Sequence, residues 1–251
     1  MYLRTRALDC LYVNWALPRE VAPALPPPLR YEVHQSGGVD YVFASTLLFH
    51  LSGLRLETLP FLRLSYPQMN CRVYVLDGDG VPSVLFRRIL VPAWVVTASR
   101  WLSRQPTAAA RFAYPRPSKG PRSDAWSWSV HNHQSLELAG KLASPRFGPG
   151  PNLGAWEITL DYFRQRPRGY VLWKEQLRPI ATSKVSVEVW PLQVEVGSAG
   201  LVAECFPDAT GDVWGVPHSA WLCPEIPFIF ELGELRTLQL PRRRATAASG
   251  F

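Results

Sequence analysis

The stretch YPQMNCRVYV, Tyr66 to Val75, places Asn70, Arg72 and Tyr74 at every second position. Alternate side chains of a β-strand share a face, so these three point one way and Cys71, Val73 and Val75 the other. An arginine in the middle of an apolar strand demands a counter-charge, water or a ligand, because an uncompensated buried charge is costly. A planar guanidinium in a walled cavity can hold a carboxylate or phosphate by two parallel hydrogen bonds, with Asn70 and Tyr74 orienting the remaining oxygens. Asn14, in YVNWALP, is the fourth member of this candidate pocket. The same residues also fit a structural network, in which Arg72 pairs with Glu57 or another acid and Asn14 ties two strands. Sequence leaves both readings open.

Other chemistry-bearing residues are sparser. His131 and His133 lie on an alternating run and would share a face, but a zinc site needs a third ligand, and His34, His50 and His218 are scattered. No metal is expected. Arg87-Arg88 reads either as an anion contact or as solvated strand-end charge. Trp126 and Trp128 alternate with serines beside a basic loop; they would either stack nucleic-acid bases or pack a wall, and packing is the expectation. The chain has no G-x-S-x-G, no phosphate-binding glycine loop and no dinucleotide fingerprint, so no cofactor is expected. Asp77-Gly78-Asp79-Gly80 reads as a hairpin turn and lacks the spacing of a calcium loop.

These residues need elements to hold them. The chain has 251 residues, 47% of them apolar, enough for one sizeable core. Its 24 prolines disfavour long helices. Net charge is +7, with arginine far ahead of the four lysines, Lys119, Lys141, Lys174 and Lys184. The segment 241–251 carries Arg242, Arg243 and Arg244 and reads as a solvated, frayed tail, leaving residues 1–240 as a single domain. Cys10, Cys71, Cys205 and Cys223 have no ligand-like spacing and read as buried thiols of a reducing compartment. The N-terminus lacks the pattern of a signal peptide and no window suits a membrane span, so a cytoplasmic protein without membrane partners is expected.

Strands are expected over much of the chain. They include the start, the run YVFASTLLFHLSGLRL after a turn at Ser36–Gly38, FLRLSYPQMNCRVYVL, and SVLFRRILV across the Asp77–Gly80 hairpin. AWSWSVHNHQSLELAG reads as one long edge or barrel strand. Helical spacing appears in AWVVTASRWLSRQ and AWEITLDYFRQR, and Pro18 suits the first position of a short helix through about Leu25. The class that follows is strand-dominated α+β, built on an antiparallel β-barrel or strongly curved sheet with a few short helices.

Asn14-Trp15-Ala16-Leu17-Pro18, Leu25 to Leu29, Asn70-Cys71-Arg72-Val73-Tyr74 and Val189 to Gln193 occur in an order that resembles the YqjF-like family, a domain of unknown function (number 2071) in bacterial proteins. The resemblance implies the fold of acetoacetate decarboxylase, an antiparallel β-barrel around a small-molecule pocket. In those decarboxylases a lysine after a helix, paired with a second lysine, forms a Schiff base with the keto acid. Here Thr107 and Ala108 stand at that place, so Schiff-base decarboxylation is expected to be absent. The family often has histidines before Trp-Pro-Leu, where this chain has Ser186, Val187 and Glu188; Glu188 takes that role only if it faces inward. The expected function is binding of a small organic anion, as a lyase, an isomerase or a non-catalytic binder. The different-class alternative is a binding module that contacts nucleic acid or a protein partner through its basic surface.

Overall fold

The structure, a computed structural model, describes residues 2–56, 59–103, 107–114, 125–173, 175–184, 188–209 and 212–231. Its strands are β1 (Tyr2–Pro18), β2 (Arg30–Tyr31), β3 (His34–Ser36), β4 (Val39–Leu56), β5 (Leu59–Leu76), β6 (Pro82–Val91), β7 (Thr107–Ala109), β8 (Arg111–Ala113), β9 (Ala125–His131), β10 (Ser135–Leu142), β11 (Arg168–Trp173), β12 (Gln176–Lys184), β13 (Trp190–Ser198) and β14 (Ser219–Glu231). The helices are α1 (Ala93–Ser103), α2 (Trp156–Arg164) and α3 (Gly200–Ala203).

The main path of the sheet runs β1-β4-β5-β6-β11-β12-β14-β13-β10-β9-β8, and β14 also pairs with β1 from Tyr2↔Glu231 to Asn14↔Ser219. The sheet is mixed, which corrects the antiparallel expectation: β6 runs parallel to both β7 and β11. Between β6 and β7 lies α1, and between β6 and β11 lie the β9–β10 hairpin and α2. Parallel neighbours require crossovers of this kind, whereas the tight turns at 37–38 and 78–79 enforce antiparallel pairs. Gly37 and Gly38 have φ of +57° and +78°, the positive values that a two-residue hairpin of this type needs.

Two further expectations are corrected. Pro18 does not begin a helix reaching Leu25; β1 ends there and only a three-residue 3-10 turn, Arg19–Val21, follows. Pro23 and Pro26 lack the N–H that a continuing helix would use. The run from Ala125 to Gly140 is not one strand but the hairpin β9–β10, turning at residues 132–134, where Asn132 N donates to Gln134 O.

The sheet buries both faces. Leu11, Val13, Trp15, Val42, Ala44, Cys71, Val73 and Val75 share one core with Trp126 and Trp128 of β9 and with α3. Tyr12, Phe43, Leu47, Tyr74, Ile89 and Trp221 lie in the other, under Leu160 and Phe163 of α2. A bulge in β1 sets the register. Leu8 faces His50 of β4 but Leu11 faces Leu48, and Asp9 between them has φ of +51°. One extra residue reverses the alternation, so Ala7 and then Cys10 and Tyr12 fall in the same core.

Candidate functional site

Four polar side chains occupy one rung across four neighbouring strands. Ser219 of β14 is the register partner of Asn14 of β1, Asn14 of Ser45 of β4, and Ser45 of Arg72 of β5. The next rung is mostly apolar: Trp221, Tyr12, Leu47 and Asn70. A polar stripe inside an apolar face must satisfy itself or hold something.

Arg72 is 2% exposed. Its Nε donates to Ser45 Oγ at 2.8 Å and its Nη2 to Tyr74 OH at 2.9 Å. The Tyr74 hydroxyl donates to Asn14 Oδ1 at 3.2 Å and lies 3.1 Å from Ser45 Oγ. Asn14 Nδ2 donates to Ser219 Oγ at 3.1 Å and to the Ser219 carbonyl at 3.3 Å. His218 closes the chain, with Nδ1 3.3 Å from Ser219 Oγ and Nε2 3.1 Å from the Pro151 carbonyl. A carbonyl only accepts, so Nε2 carries the proton and Nδ1 accepts from the Ser219 hydroxyl. Burial pushes the His218 pKa down, which favours this neutral form; the backbone bond to Pro151 opposes the shift.

The charge balance is unusual. Among the described residues Arg72 has no carboxylate partner, and its hydrogen bonds go to hydroxyls. Two aromatic rings flank it: its guanidinium carbon lies 5.3 Å from the Tyr12 ring centroid and 5.2 Å from that of Tyr74. Tyr12 stacks on Trp221 at 5.1 Å. Beyond Tyr74 sits a second buried arginine, Arg166, 5.1 Å from the same ring, but this one pairs with Glu32 at 2.6 Å. Burial raises the Tyr12 pKa well above its ordinary value, with the Arg72 charge pulling the other way, so the phenol stays neutral and supplies no anion to Arg72.

The loop before α2 closes over this site. Gly148 N donates to the His218 carbonyl, and a Cβ on Gly148 would meet the Pro217 carbonyl oxygen at 2.1 Å. Gly150, with φ of +122°, sits where a Cβ would lie 2.4 Å from Ala16 Cβ.

Of the candidate residues, the structure brings together Asn14, Arg72 and Tyr74. Asn70 lies on the same face, but its Oδ1 accepts from Gln68 Nε2 at 2.8 Å rather than joining the rung. Glu188 is exposed and accepts from Trp190 Nε1 at 2.7 Å, so it does not face inward as its proposed role required. Glu57 lies outside the described residues. Ser45, Ser219, His218 and Tyr12 join the site although the sequence reading passed over them. Ser45 had a readable signal, as the polar member of the alternating Phe43, Ser45, Leu47 series.

The remaining candidates have structural occupations. Arg88 pairs with Glu204 and Arg87 donates to the Cys205 carbonyl at 3.5 Å. Trp126 and Trp128 are 7% and 3% exposed, so they pack the core rather than offer a stacking platform. His131 bonds Ser129 Oγ, and His133 lies beyond the end of β9 in the hairpin turn, so the two do not share a strand face. Among the described residues no three His, Cys, Asp or Glu side chains form a metal-binding group. All four cysteines are buried. Thr107 is buried and bonds Ser99 Oγ at 2.7 Å, and Ala108 follows it in β7. Lys141 is exposed on β10, while Lys119, Lys174, the Lys184 side chain and the tail 241–251 lie outside the description. Among the described residues no helix is long and apolar enough to cross a membrane.

Known structures share this fold. The enduracididine biosynthesis enzyme MppR with HEPES bound aligns at a TM-score of 0.60 and 12% identity, over 94% of this chain and 87% of that one. An acetoacetate decarboxylase-like enzyme from Sphingomonas wittichii RW1 aligns at 0.59 and 18% identity, over 95% and 94%. MppR complexed with pyruvate aligns at 0.56 and 12%, over 93% and 89%. At these identities the likeness is one of fold. No curated protein matches the chain. The DUF2071 family, described as uncharacterized conserved proteins, matches residues 4–205, and the chain belongs to it.

Proposed function

We propose that this protein binds a small organic carboxylate through Arg72. The observation that carries the reading is a guanidinium 2% exposed whose only hydrogen-bond partners among the described residues are the neutral hydroxyls of Ser45 and Tyr74. A buried cation without an acid is the complement of an anion, and arginine's planar fork suits a carboxylate. We read the ring of pairings β1-β4-β5-β6-β11-β12-β14-β1 as a barrel wall, with Arg72, Tyr74 and Asn14 turned inward and α2 over the opening. The fold neighbour MppR has been captured with pyruvate, a carboxylate, and with HEPES, which carries a sulfonate, and this supports the reading by analogy. Thr107 and Ala108 argue against a Schiff-base route, so recognition rather than imine chemistry is the role assigned to the site.

A thermal-shift series with acetate, pyruvate, hexanoate and longer carboxylates tests this, because a ligand selective for the native state raises its melting temperature. Saturable stabilisation by a carboxylate, absent with its amide or alcohol analogue, is the expected result. No stabilisation across the series would refute it.

A further inference from the structure

Two buried hydrogen-bonding atoms near the Arg72 rung have no partner among the described residues: Trp221 Nε1 and Thr159 Oγ1. Both residues are 0% exposed. Trp221 belongs to the rung beside Arg72's, about 7 Å along the strands on the same face. It stacks on Tyr12, and Tyr12 in turn packs against the Arg72 guanidinium. Thr159 lies on α2 between Trp156 and Phe163, at the three- and four-residue steps that share one helix face. Both of those flanking rings contact Trp221, at 6.0 Å and 5.7 Å. The stripe of α2 that carries the Thr159 hydroxyl therefore faces Trp221, yet neither atom bonds the other.

We infer that Trp221 and Thr159 form a second recognition point for the ligand held by Arg72, one that takes an uncharged acceptor oxygen. An indole N–H only donates, so its partner must be an acceptor. The side chains described as packed around the pair are the rings of Tyr12, Trp156 and Phe163, which supply no counter-charge, so an uncharged acceptor suits the place better than a second carboxylate. The ligand class is thus a monocarboxylate with a keto, ester or amide carbonyl further along its chain. This inference rests on the carboxylate reading of Arg72 and adds length and polarity to it.

The test compares plain and oxo acids of equal length: pentanoate with 4-oxopentanoate, hexanoate with 5-oxohexanoate, heptanoate with 6-oxoheptanoate. Each is titrated against wild type, Thr159→Val and Trp221→Phe. At one length at least, wild type should prefer the oxo acid by about tenfold. Both variants should lose that preference, read within each variant as the ratio of oxo-acid to plain-acid affinity. Unliganded Thr159→Val, which removes only an unpartnered hydroxyl, should melt no lower than wild type. Three results would overturn the second recognition point and leave the Arg72 reading standing: equal binding of each pair by wild type, a preference that survives in both variants, or a lower melting temperature for unliganded Thr159→Val. Binding of neither acid by wild type would overturn both.

Discussion

Asn14 and Tyr74 are 60 residues apart in the chain, yet the Tyr74 hydroxyl donates to Asn14 Oδ1 at 3.2 Å across the intervening strand β4. This bond joins the Arg72 end of the polar rung to the Ser219–His218 end. Each member is thereby oriented: the Asn14 amide by the Ser219 carbonyl, the Tyr74 hydroxyl by Asn14, and the Arg72 fork by Tyr74 and Ser45. Orientation fixed by the scaffold is what lets a guanidinium receive an anion at little reorganisation cost.

Tyr74→Phe tests that linkage. The ring is retained between Arg72 and Arg166, but Arg72 Nη2 and Asn14 Oδ1 lose a partner. Urea unfolding should show a loss of about 1–3 kcal/mol. Unchanged stability would mean that the hydroxyl bonds contribute nothing.

His218 makes stability depend on pH. Its folded pKa lies below the ordinary 6.5, burial being the main cause, and His34 is lowered in the same way. The unfolded chain therefore takes up these protons first. Stability should be fully present above about pH 6.5 and decline as pH falls toward the lowered folded values. His218→Gln should flatten part of that decline, leaving the His34 share. An identical pH profile for the variant would show that His218 does not titrate in this window.

Asp77 acts just past the C-terminal end of β5. Burial alone would raise its pKa, but hydrogen bonds from Val81 N, Arg168, Tyr170 and Asp79 N outweigh it and hold the carboxyl below its ordinary value. Its stabilisation should be present above the unfolded value of 3.8 and be lost as pH falls through the lowered one. Asp77→Ala should cost about 1–3 kcal/mol at neutral pH, since four donors lose their acceptor and half-exposed Arg168 is partly screened. A loss below a few tenths of a kcal/mol in urea unfolding would contradict this.

The bulge at Asp9 sets the face on which Asn14 appears. Asp9→Gly suits its positive φ and should be tolerated, whereas Asp9→Val forces a branched side chain into that region and should cost about 1–2 kcal/mol. Equal stability of the two variants by thermal melting would show that this backbone geometry is not required.

Much of this architecture was legible in the sequence because period-two alternation and turn residues report directly on hairpins. The runs that became β4, β5 and β6 and the helical spacings of α1 and α2 were readable for that reason. Asn70, Arg72 and Tyr74 sharing a face followed from the same rule. The bulge at Asp9 was not legible, because one extra residue on a strand leaves no compositional trace. Nor were Ser219 and His218, since they become part of the site only when β14 returns beside β1. The parallel pairings of β6 with β7 and β11 depend on crossovers whose lengths do not announce their direction. The exposure of Glu188 was not legible either, because it depends on where the chain enters β13 rather than on the motif around it.

The proposed function depends on Arg72 holding an anion. The most direct measurement is the ligand-induced rise in melting temperature of Arg72→Met against wild type, with Arg72→Lys alongside, using whichever carboxylate stabilises wild type most. Because Arg72 strands no acid among the described residues, unliganded Arg72→Met should stay folded and melt close to wild type, with the hydroxyls of Ser45 and Tyr74 left to bond each other. The carboxylate-induced shift should vanish in Arg72→Met and fall sharply in Arg72→Lys, which keeps the charge but lacks the fork. A folded Arg72→Met protein that is stabilised by the carboxylate as strongly as wild type would show that Arg72 does not hold the anion.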